Sequence, residues 1–351
     1  MSKEINHTDS LPSISVIMPI RNEVDFIERS LSSVLNNDYP ADRLEVLVSD
    51  GMSTDGTQAV VNSIAEKDSR VRLIENPGKV VSTGLNCALK QINGDVFIRI
   101  DGHCEIPSDF IRKSVDTLLA KEEAWVAGGY WKTISSGLIG KTISAATESP
   151  VGVGNARHRL GNFDGWVDTL PYGAHYQWVL DRIGYFDEQL VRNQDDDFNF
   201  RILQAGGKIW MSSNIWSIYY ARSSLKKLWR QYFQYGFWRI RTIQKHGQPA
   251  TLRQLAPVLL VAGILGLGIL SLFHQLFLWL LIAALCVYGA GLAYGAIDVG
   301  RKQSFKYAVL APLIFVILHF GYGLGSLWGI VRFILLKGRG LPKPEDHQLS
   351  R

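Results

Sequence analysis

The stretch VFIRIDGHCE, residues 96–105, decides how the rest of this 351-residue chain is read. Val96, Phe97, Ile98 and Ile100, interrupted by Arg99, read as a buried strand that runs straight into Asp101-Gly102-His103. A strand covered on both faces keeps its carboxyl end open, and open α/β sheets bind ligands there. Asp101 and His103, two residues apart on extended backbone, point to the same side. Gly102 between them lets another group come close to the main chain. A carboxylate and an imidazole so placed suit a divalent cation, and beside an α/β sheet such a cation most often serves a phosphate. An acid and a glycine also make an ordinary turn, so the flanking chain has to carry the weight.

On the amino-terminal side the pattern repeats. Residues 13–20 (SISVIMPI) form a β-branched run with no helical period, followed by Arg21-Asn22-Glu23 and a helix over 24–35 with Phe26, Ile27, Leu31, Val34 and Leu35 on one face. A second strand over 44–48 ends in Ser49-Asp50-Gly51, and Ser53 to Thr57 offer cap chemistry for a helix to about residue 67. A short strand over 71–74 and a helix over 80–91 complete a β-α-β-α-β-α-β series, which calls for a mostly parallel sheet with helices on both faces. On the carboxyl side a helix over 107–120 begins at a proline, and a strand covers 125–130. Residues 131–171 read as a long irregular segment rich in Gly and Ser, of the kind that forms lids and binding surfaces. A short helix begins at 177–183, the run NQDDDFNFR (193–201) opens another that stops at Gly206-Gly207, and a last strand covers 208–213.

Composition places the chain between soluble and membranous. Charged residues are 20% and hydrophobic residues 47%, with a net charge of +5. Three cysteines far apart, without CxxC spacing, argue against a zinc site and a disulfide framework. The opening MSKEINHTDS has no apolar core, so no signal peptide is expected. Between Arg222 and Arg253 stand eight Lys/Arg and no Asp or Glu, a local basic face rather than a nucleic-acid-binding composition. Within it, residues 224–246 interleave Leu, Trp, Phe and Tyr with Lys, Arg and Gln at helical spacing, which predicts a helix lying in a membrane interface. Residues 255–273, 276–297 and 307–336 are each long and apolar enough to cross a bilayer. The expected domains are therefore 1–221 catalytic, 222–254 interfacial, 255–336 transmembrane and 337–351 a polar tail. Arg301, Lys302 and Lys306 in the second loop agree with a cytoplasmic catalytic domain. Lys337, Arg339 and Lys343 in the tail disagree if all three segments cross, and the tail's side is left open.

Glu23, Asp50, Asp101 and Asp195 stand in order at strand ends or a helix start. Each alone is ordinary as a turn or cap residue. Together they make the set that a nucleotide-sugar needs: acceptors for base or ribose, a metal ligand for the diphosphate, and a base for the attacking hydroxyl.

With Arg21-Asn22-Glu23, VSDGMSTDGT (48–57), Asp101-Gly102-His103 and NQDDDFNFR, the chain resembles the inverting family 2 glycosyltransferases of GT-A fold. The details come nearest to their membrane-anchored bacterial branch in exopolysaccharide synthesis. The resemblance implies that Asp50 recognises uracil or another base, with Pro19 and Glu23 lining that pocket. It implies that Asp101 and His103 hold a metal, Mn²⁺ or Mg²⁺, with the donor diphosphate, and that Asp195 is the general base. Asp197 and Arg201 complete the helix motif, and Gln231 belongs to the acceptor side. His103 replaces the family's second Asp, favouring Mn²⁺. Gln194 replaces the Glu before the base. The Gln-x-x-Arg-Trp of processive synthases is absent, Gln231 to Tyr235 being nearest, so a single sugar addition is implied. The resemblance also implies as partners a nucleotide-sugar donor (a UDP-sugar first), a lipid-linked saccharide acceptor, the inner membrane and other polysaccharide-assembly proteins. A polyprenyl-phosphate acceptor and a catalytically silent membrane scaffold are the alternatives.

Overall fold

In the computed structural model, which describes residues 11–221 and 223–336, the series begins as expected. It runs β1 (Ile14–Ile20), α1 (Ile27–Leu35), β2 (Leu44–Asp50), α2 (Thr57–Ala65), β3 (Val71–Glu75), α3 (Val81–Leu89) and β4 (Val96–Arg99). These four strands pair in parallel in the order β3-β2-β1-β4. The register Ile20↔Asp50 and Ile17↔Arg99 brings the loops carrying Glu23, Asp50 and Asp101 to one edge. Along β1, alternate side chains serve two cores. Val16 and Met18 join Ile27 and Leu31 of α1, while Ile17 joins Leu85 and Leu89 of α3. Burying each such side chain is worth about 1.5–3 kcal/mol, which fixes the register of the strands that position the site.

Beyond β4 the chain departs from simple alternation. It continues through β5 (Cys104–Glu105), α4 (Phe110–Ala120) and β6 (Ala124–Ile134). The segment read as irregular instead holds the end of β6, α5 (Gly137–Thr147), α6 (Pro150–Val153), α7 (Arg157–Leu160) and β7 (Gly165–Val167). Its Gly and Ser content conceals α5, whose small residues Gly140, Ser144, Ala145 and Ala146 are buried, the two alanines in a cluster with residues of α10 and α13. β8 (Gly173–Tyr176) follows, unforeseen in the sequence, and inserts antiparallel between β4 and β6. α8 (Val179–Ile183), α9 (Gln194–Gln204) and β9 (Lys208–Tyr220) complete the sheet and its helices. β9 is longer than expected and runs parallel to β6, with β5 and β7 antiparallel on it. Among the described residues the result is one mixed sheet with helices on both faces.

α10 (Leu225–His246) is the basic aromatic helix, and the structure covers it more than a surface-lying helix would be. It packs on α13 (Phe305–Gly329), burying Leu228, Tyr232, Phe237, Trp238 and Ile240. Glycines make the contact possible. A Cβ on Gly325 would lie 2.0 Å from the Phe233 carbonyl oxygen, and one on Gly236 would lie 1.9 Å from that of Tyr322. Gly321, Gly325 and Gly329 form the small-residue stripe by which apolar helices approach closely.

α11 (Ala256–Leu270) and α12 (Gln275–Lys302) precede α13. Three helical stretches are long and apolar enough to cross a membrane: Leu252–Leu270, Gln275–Lys302 and Phe305–Leu335. α12 in particular leaves large apolar side chains such as Trp279 and Val287 uncovered by protein. Met1–Ser10, Arg222 and the tail from Lys337 onward, with Arg339 and Lys343, lie outside the described residues.

Candidate active site

One cavity of about 1450 Å³ joins the carboxyl edge of the sheet to the apolar helices. At its sheet end are Pro19, Glu23, Asp101 and His103; Asp195, Asp196 and Gln231 stand further along the wall. The far end is lined by Pro257 and Leu260 of α11, Tyr288 of α12, and Leu318 and Tyr322 of α13.

Asp101 is held by Arg99, the charge that interrupts the strand. Arg99 Nε donates to Oδ1 at 2.8 Å and Nη2 to Oδ2 at 3.2 Å. Residues i and i+2 share a side of extended backbone, so this pair is local. Burial opposes ionisation of Asp101, but Arg99 and then His103 hold its carboxyl below the usual range. His103 Nδ1 lies 2.9 Å from Glu23 Oε1, joining the first strand's loop to the fourth's. Gly102 permits that junction, because a Cβ there would lie 2.7 Å from Ile20 Cγ2 and 3.3 Å from Glu23 Cγ.

The fit of this end to a divalent metal follows from its donors. Among the described residues no three His, Cys, Asp or Glu side chains converge on one point. Asp101 and His103 supply a carboxylate and an imidazole, a partial set that fits a cation completing its shell on ligand oxygens. Arg99 Nη1 is buried on the same wall without a hydrogen-bond partner. A buried unpaired donor beside the pair fits an anionic ligand.

Asp50 lies back from the cavity. It is 1% exposed, with Oδ1 accepting from Ser53 Oγ at 2.5 Å and Oδ2 from Ser53 N at 2.9 Å and Gln58 Nε2 at 2.5 Å. Ser53 Oγ in turn accepts from Asn22 N at 2.8 Å, so Asp50 braces the loop that carries Glu23.

The acidic run divides its labour. Asn193, in the left-handed region at φ 60°, starts α9, and its side-chain amide donates to the Tyr235 carbonyl of α10 at 3.0 Å. Asp195 lines the cavity, and its Oδ1 accepts from Asp196 N at 2.9 Å. Burial, with the Asp196 charge added, lifts the Asp195 carboxyl above the usual range. Burial works the same way on Asp196, but the Arg239 guanidinium of α10, bonded to Oδ2, outweighs it and holds Asp196 low. Asp197 is fully buried and away from the cavity wall, gripped by Arg201, Lys245 and His246 at 3.0, 3.1 and 2.7 Å. Arg201 also donates to the Tyr185 carbonyl at 2.9 Å, so this pair is a brace behind the site. Gln194, standing where the family has Glu, lines the cavity with a buried Oε1 that lacks a partner. Gln231 Nε2 donates to Tyr219 Oη at 3.1 Å and Tyr235 Oη at 3.0 Å.

Sequence reading gave no role to Arg99, Arg159, Asp196 or Arg239. Arg99 was detectable as a charge inside an apolar strand, two residues before an acid. Arg159 and Arg239 had no such signal, because their neighbours are remote in the chain.

The family model for glycosyl transferase family 2 matches residues 15–166. Succinoglycan biosynthesis protein ExoA of Rhizobium meliloti (strain 1021) is 29% identical over 327 residues, covering 92% of this chain and 96% of that protein. A dolichyl N-acetyl-alpha-D-glucosaminyl phosphate 3-beta-D-2,3-diacetamido-2,3-dideoxy-beta-D-glucuronosyltransferase of Methanococcus voltae is 30% identical over 232 residues, covering 64% and 71%. In fold, a mannosyltransferase of Pyrobaculum calidifontis, solved with GDP-Man and Mn²⁺, superposes with a TM-score of 0.56 at 21% identity, over 91% of this chain and 88% of that one. With the acids of β1 and β4 gathered on one cavity, and the matching sequence running through the motif that contains Asp195, the chain is a GT-A glycosyltransferase and belongs to family 2.

Proposed function

We propose that the protein transfers a single sugar, a hexose such as glucose, from a nucleotide-sugar to a lipid-linked saccharide during exopolysaccharide assembly, with inversion at the anomeric carbon. The observation that carries this reading is one cavity that is acid-lined at the sheet edge and continues between α11, α12 and α13, where Pro257, Leu260 and Leu318 stand with Tyr288, His319 and Tyr322. A donor fits the first end, and an acceptor whose lipid stays in a membrane fits the second. The resemblance to ExoA over nearly the whole chain supports the polysaccharide context. The three apolar helices support a multi-pass place in the cytoplasmic membrane with the catalytic domain inside.

The Asp195 carboxylate takes the proton of the acceptor hydroxyl as that oxygen bonds to the anomeric carbon. The bond to the nucleoside diphosphate breaks on the opposite face, and the diphosphate leaves. Arg99 offers its unpaired Nη1 to an anionic group. Asp101 and His103 are the residues to hold Mn²⁺ or Mg²⁺, which when bound neutralises leaving-group charge. The UDP-sugar assignment follows the family resemblance and leaves Asp50 supporting the base pocket through the Ser53 loop.

One feature favours a second reading, a phosphate acceptor. Arg159 lines the cavity, stacked 4.8 Å over Trp131, and has no carboxylate partner among the described residues. Asp195→Asn separates the two readings. For a hydroxyl acceptor it should cost roughly 10² to 10⁴ in kcat with donor KM near wild type. For an already ionised phosphate acceptor it should cost little. The measurement is nucleotide release from a panel of nucleotide-sugars, with the anomeric configuration of the product read alongside. Wild-type kcat should fall on the acid side at a pH above the ordinary carboxylate range, where the raised Asp195 takes up its proton.

A further inference from the structure

Asp195 and Asp196 both line the cavity at the start of α9, and either carboxylate could act as a base. What distinguishes them comes from elsewhere in the chain. Arg239 of α10 is 7% exposed and donates through Nη2 to Asp196 Oδ2. Its Nε donates to Tyr322 Oη of α13 at 3.3 Å. Thr169 Oγ1 donates to the other Asp196 oxygen at 3.2 Å. Asp196 is thereby engaged on both oxygens, whereas Asp195 receives only the Asp196 backbone N–H among the described hydrogen bonds. The connection continues from an apolar helix, Tyr322 on α13, through Arg239 to Asp196 and Asp195. The close contact at Gly236 and Gly325 sets the separation of α10 from α13.

We propose that Arg239 is a positioning residue for the transfer reaction: by engaging and neutralising the charge of Asp196, it lets both carboxylates ionise and leaves Asp195 as the one free to act as base. This inference rests on the reading of Asp195 as the base. The physical reason is that two adjacent carboxylates in a covered cavity do not both ionise unless a cation stands by one of them. Without Arg239 the pair shares a proton, and Asp195 spends part of its time neutral. The other groups do not substitute for Arg239. Arg99 acts on Asp195 but is already bound to Asp101, whose negative charge opposes it. Arg159 of α7 reaches Asp195 only through space. His158 faces Asp196, and burial beside Arg159 and Arg253 pushes it down to about 3, leaving it neutral. Tyr322 is a neutral phenol that orients the guanidinium. Arg253 is paired with Asp168 at 2.6 Å.

The test is a mutant cycle in the full-length protein in detergent or membranes, scored by kcat and donor KM. Hydrogen bonds to charged groups imply that Arg239→Gln loses about ten- to a hundredfold in kcat, with donor KM within about twofold of wild type. Adding Asp196→Asn to Arg239→Gln removes the rival carboxylate and should recover most of that loss, although it leaves both positions altered. Tyr322→Phe, which keeps the ring and drops one oxygen, should lose a few-fold in kcat and serves as the readout if Arg239→Gln does not fold. A double variant as slow as Arg239→Gln, a loss expressed in donor or acceptor KM, or a Tyr322→Phe enzyme indistinguishable from wild type in kcat would overturn the role of Arg239. An active Asp195→Asn enzyme with a hydroxyl acceptor would instead overturn the base assignment on which it rests.

Discussion

The two halves of the chain between Ile14 and His246 reach the same cavity by different routes. From Ile14 to Glu105 the acids arrive by local rules: each strand ends, a loop follows, and the parallel register lines up the loops. From Ala124 to His246 the wall is assembled from remote pieces. β8 inserts between β4 and β6, α7 brings Arg159 to the cavity wall, and α10 reaches back to α9 with Arg239. The first half supplies groups suited to a nucleotide and a metal. The second supplies Asp195, the proposed base, and the groups packed around it, and it is fastened to the apolar helices through α13. If the proposed function holds, donor binding should be alterable within one half, whereas turnover should depend on packing against the apolar helices.

That dependence gives the largest effect after the loss of Asp195 itself. Gly325→Leu drives a side chain into the Phe233 carbonyl, and overpacking costs typically about 1–3 kcal/mol, more when backbone is the obstacle. Thermal unfolding in detergent should fall by several degrees. Because α10 must shift, Arg239 should leave Asp196 and kcat should fall too. For the same reason a chain ending at His246 should aggregate rather than yield a free catalytic domain, with Phe237 and Trp238 stripped of their cover on α13 and Phe333. A soluble, active chain of that length would show that the halves are independent of the apolar helices.

What could be read in the sequence follows the same division. β1 to β4 and their helices were legible because a strand covered on both faces is a continuous apolar run and its helices carry the 3.6-residue stripe. That Asp101, His103 and Asp195 stand at element ends, on what proves to be one cavity, was legible because they abut such elements. β8 was missed because GAHY is short and its partners lie far away in sequence. α5 was missed because Gly, Ser, Thr and Ala pack against helices without an obvious apolar stripe. The buried roles of Asp197 and Arg201 were hidden by their polarity, which reads as surface or site until Lys245 and His246 are seen around them. Position in a motif located Asp50 at the correct strand end but could not show that its oxygens are already engaged.

Asp50 therefore gives an intermediate effect confined to the donor half. Asp50→Asn turns an acceptor into a donor against Ser53 or Gln58, an exchange worth about 1–3 kcal/mol when buried, or roughly a five- to hundredfold rise in donor KM. kcat should change little. Ser53→Ala sharpens the point, since it removes the link from Asp50 to Asn22 without touching the acid. If Asp50 works through the loop, Ser53→Ala raises donor KM in the same direction. If Ser53→Ala leaves donor KM at the wild-type value while Asp50→Asn does not, Asp50 reaches the donor directly.

The smallest expected effect is a change of metal preference, and it tests whether the sheet-edge end of the cavity holds a cation at all. Imidazole suits Mn²⁺, whereas Mg²⁺ prefers an all-oxygen shell, so the wild-type protein should turn over at least as fast with Mn²⁺ as with Mg²⁺. His103→Asp supplies an oxygen donor at the same place and should move the rate ratio toward Mg²⁺ by a few-fold. The change has a cost. His103 Nδ1 meets Glu23 Oε1 at 2.9 Å, and the substitution would set a second carboxylate beside that of Glu23 where a hydrogen bond stood. Like charges that close disfavour ionisation of both unless a cation lies between them. Donor KM measured at limiting metal should therefore rise in His103→Asp and return toward wild type as Mg²⁺ is raised. Glu23→Gln in the same background relieves the repulsion and should bring that recovery to lower Mg²⁺. A metal preference unmoved by His103→Asp, with donor KM insensitive to added cation, would remove His103 from the metal site and leave it as a tie between the first and fourth strands.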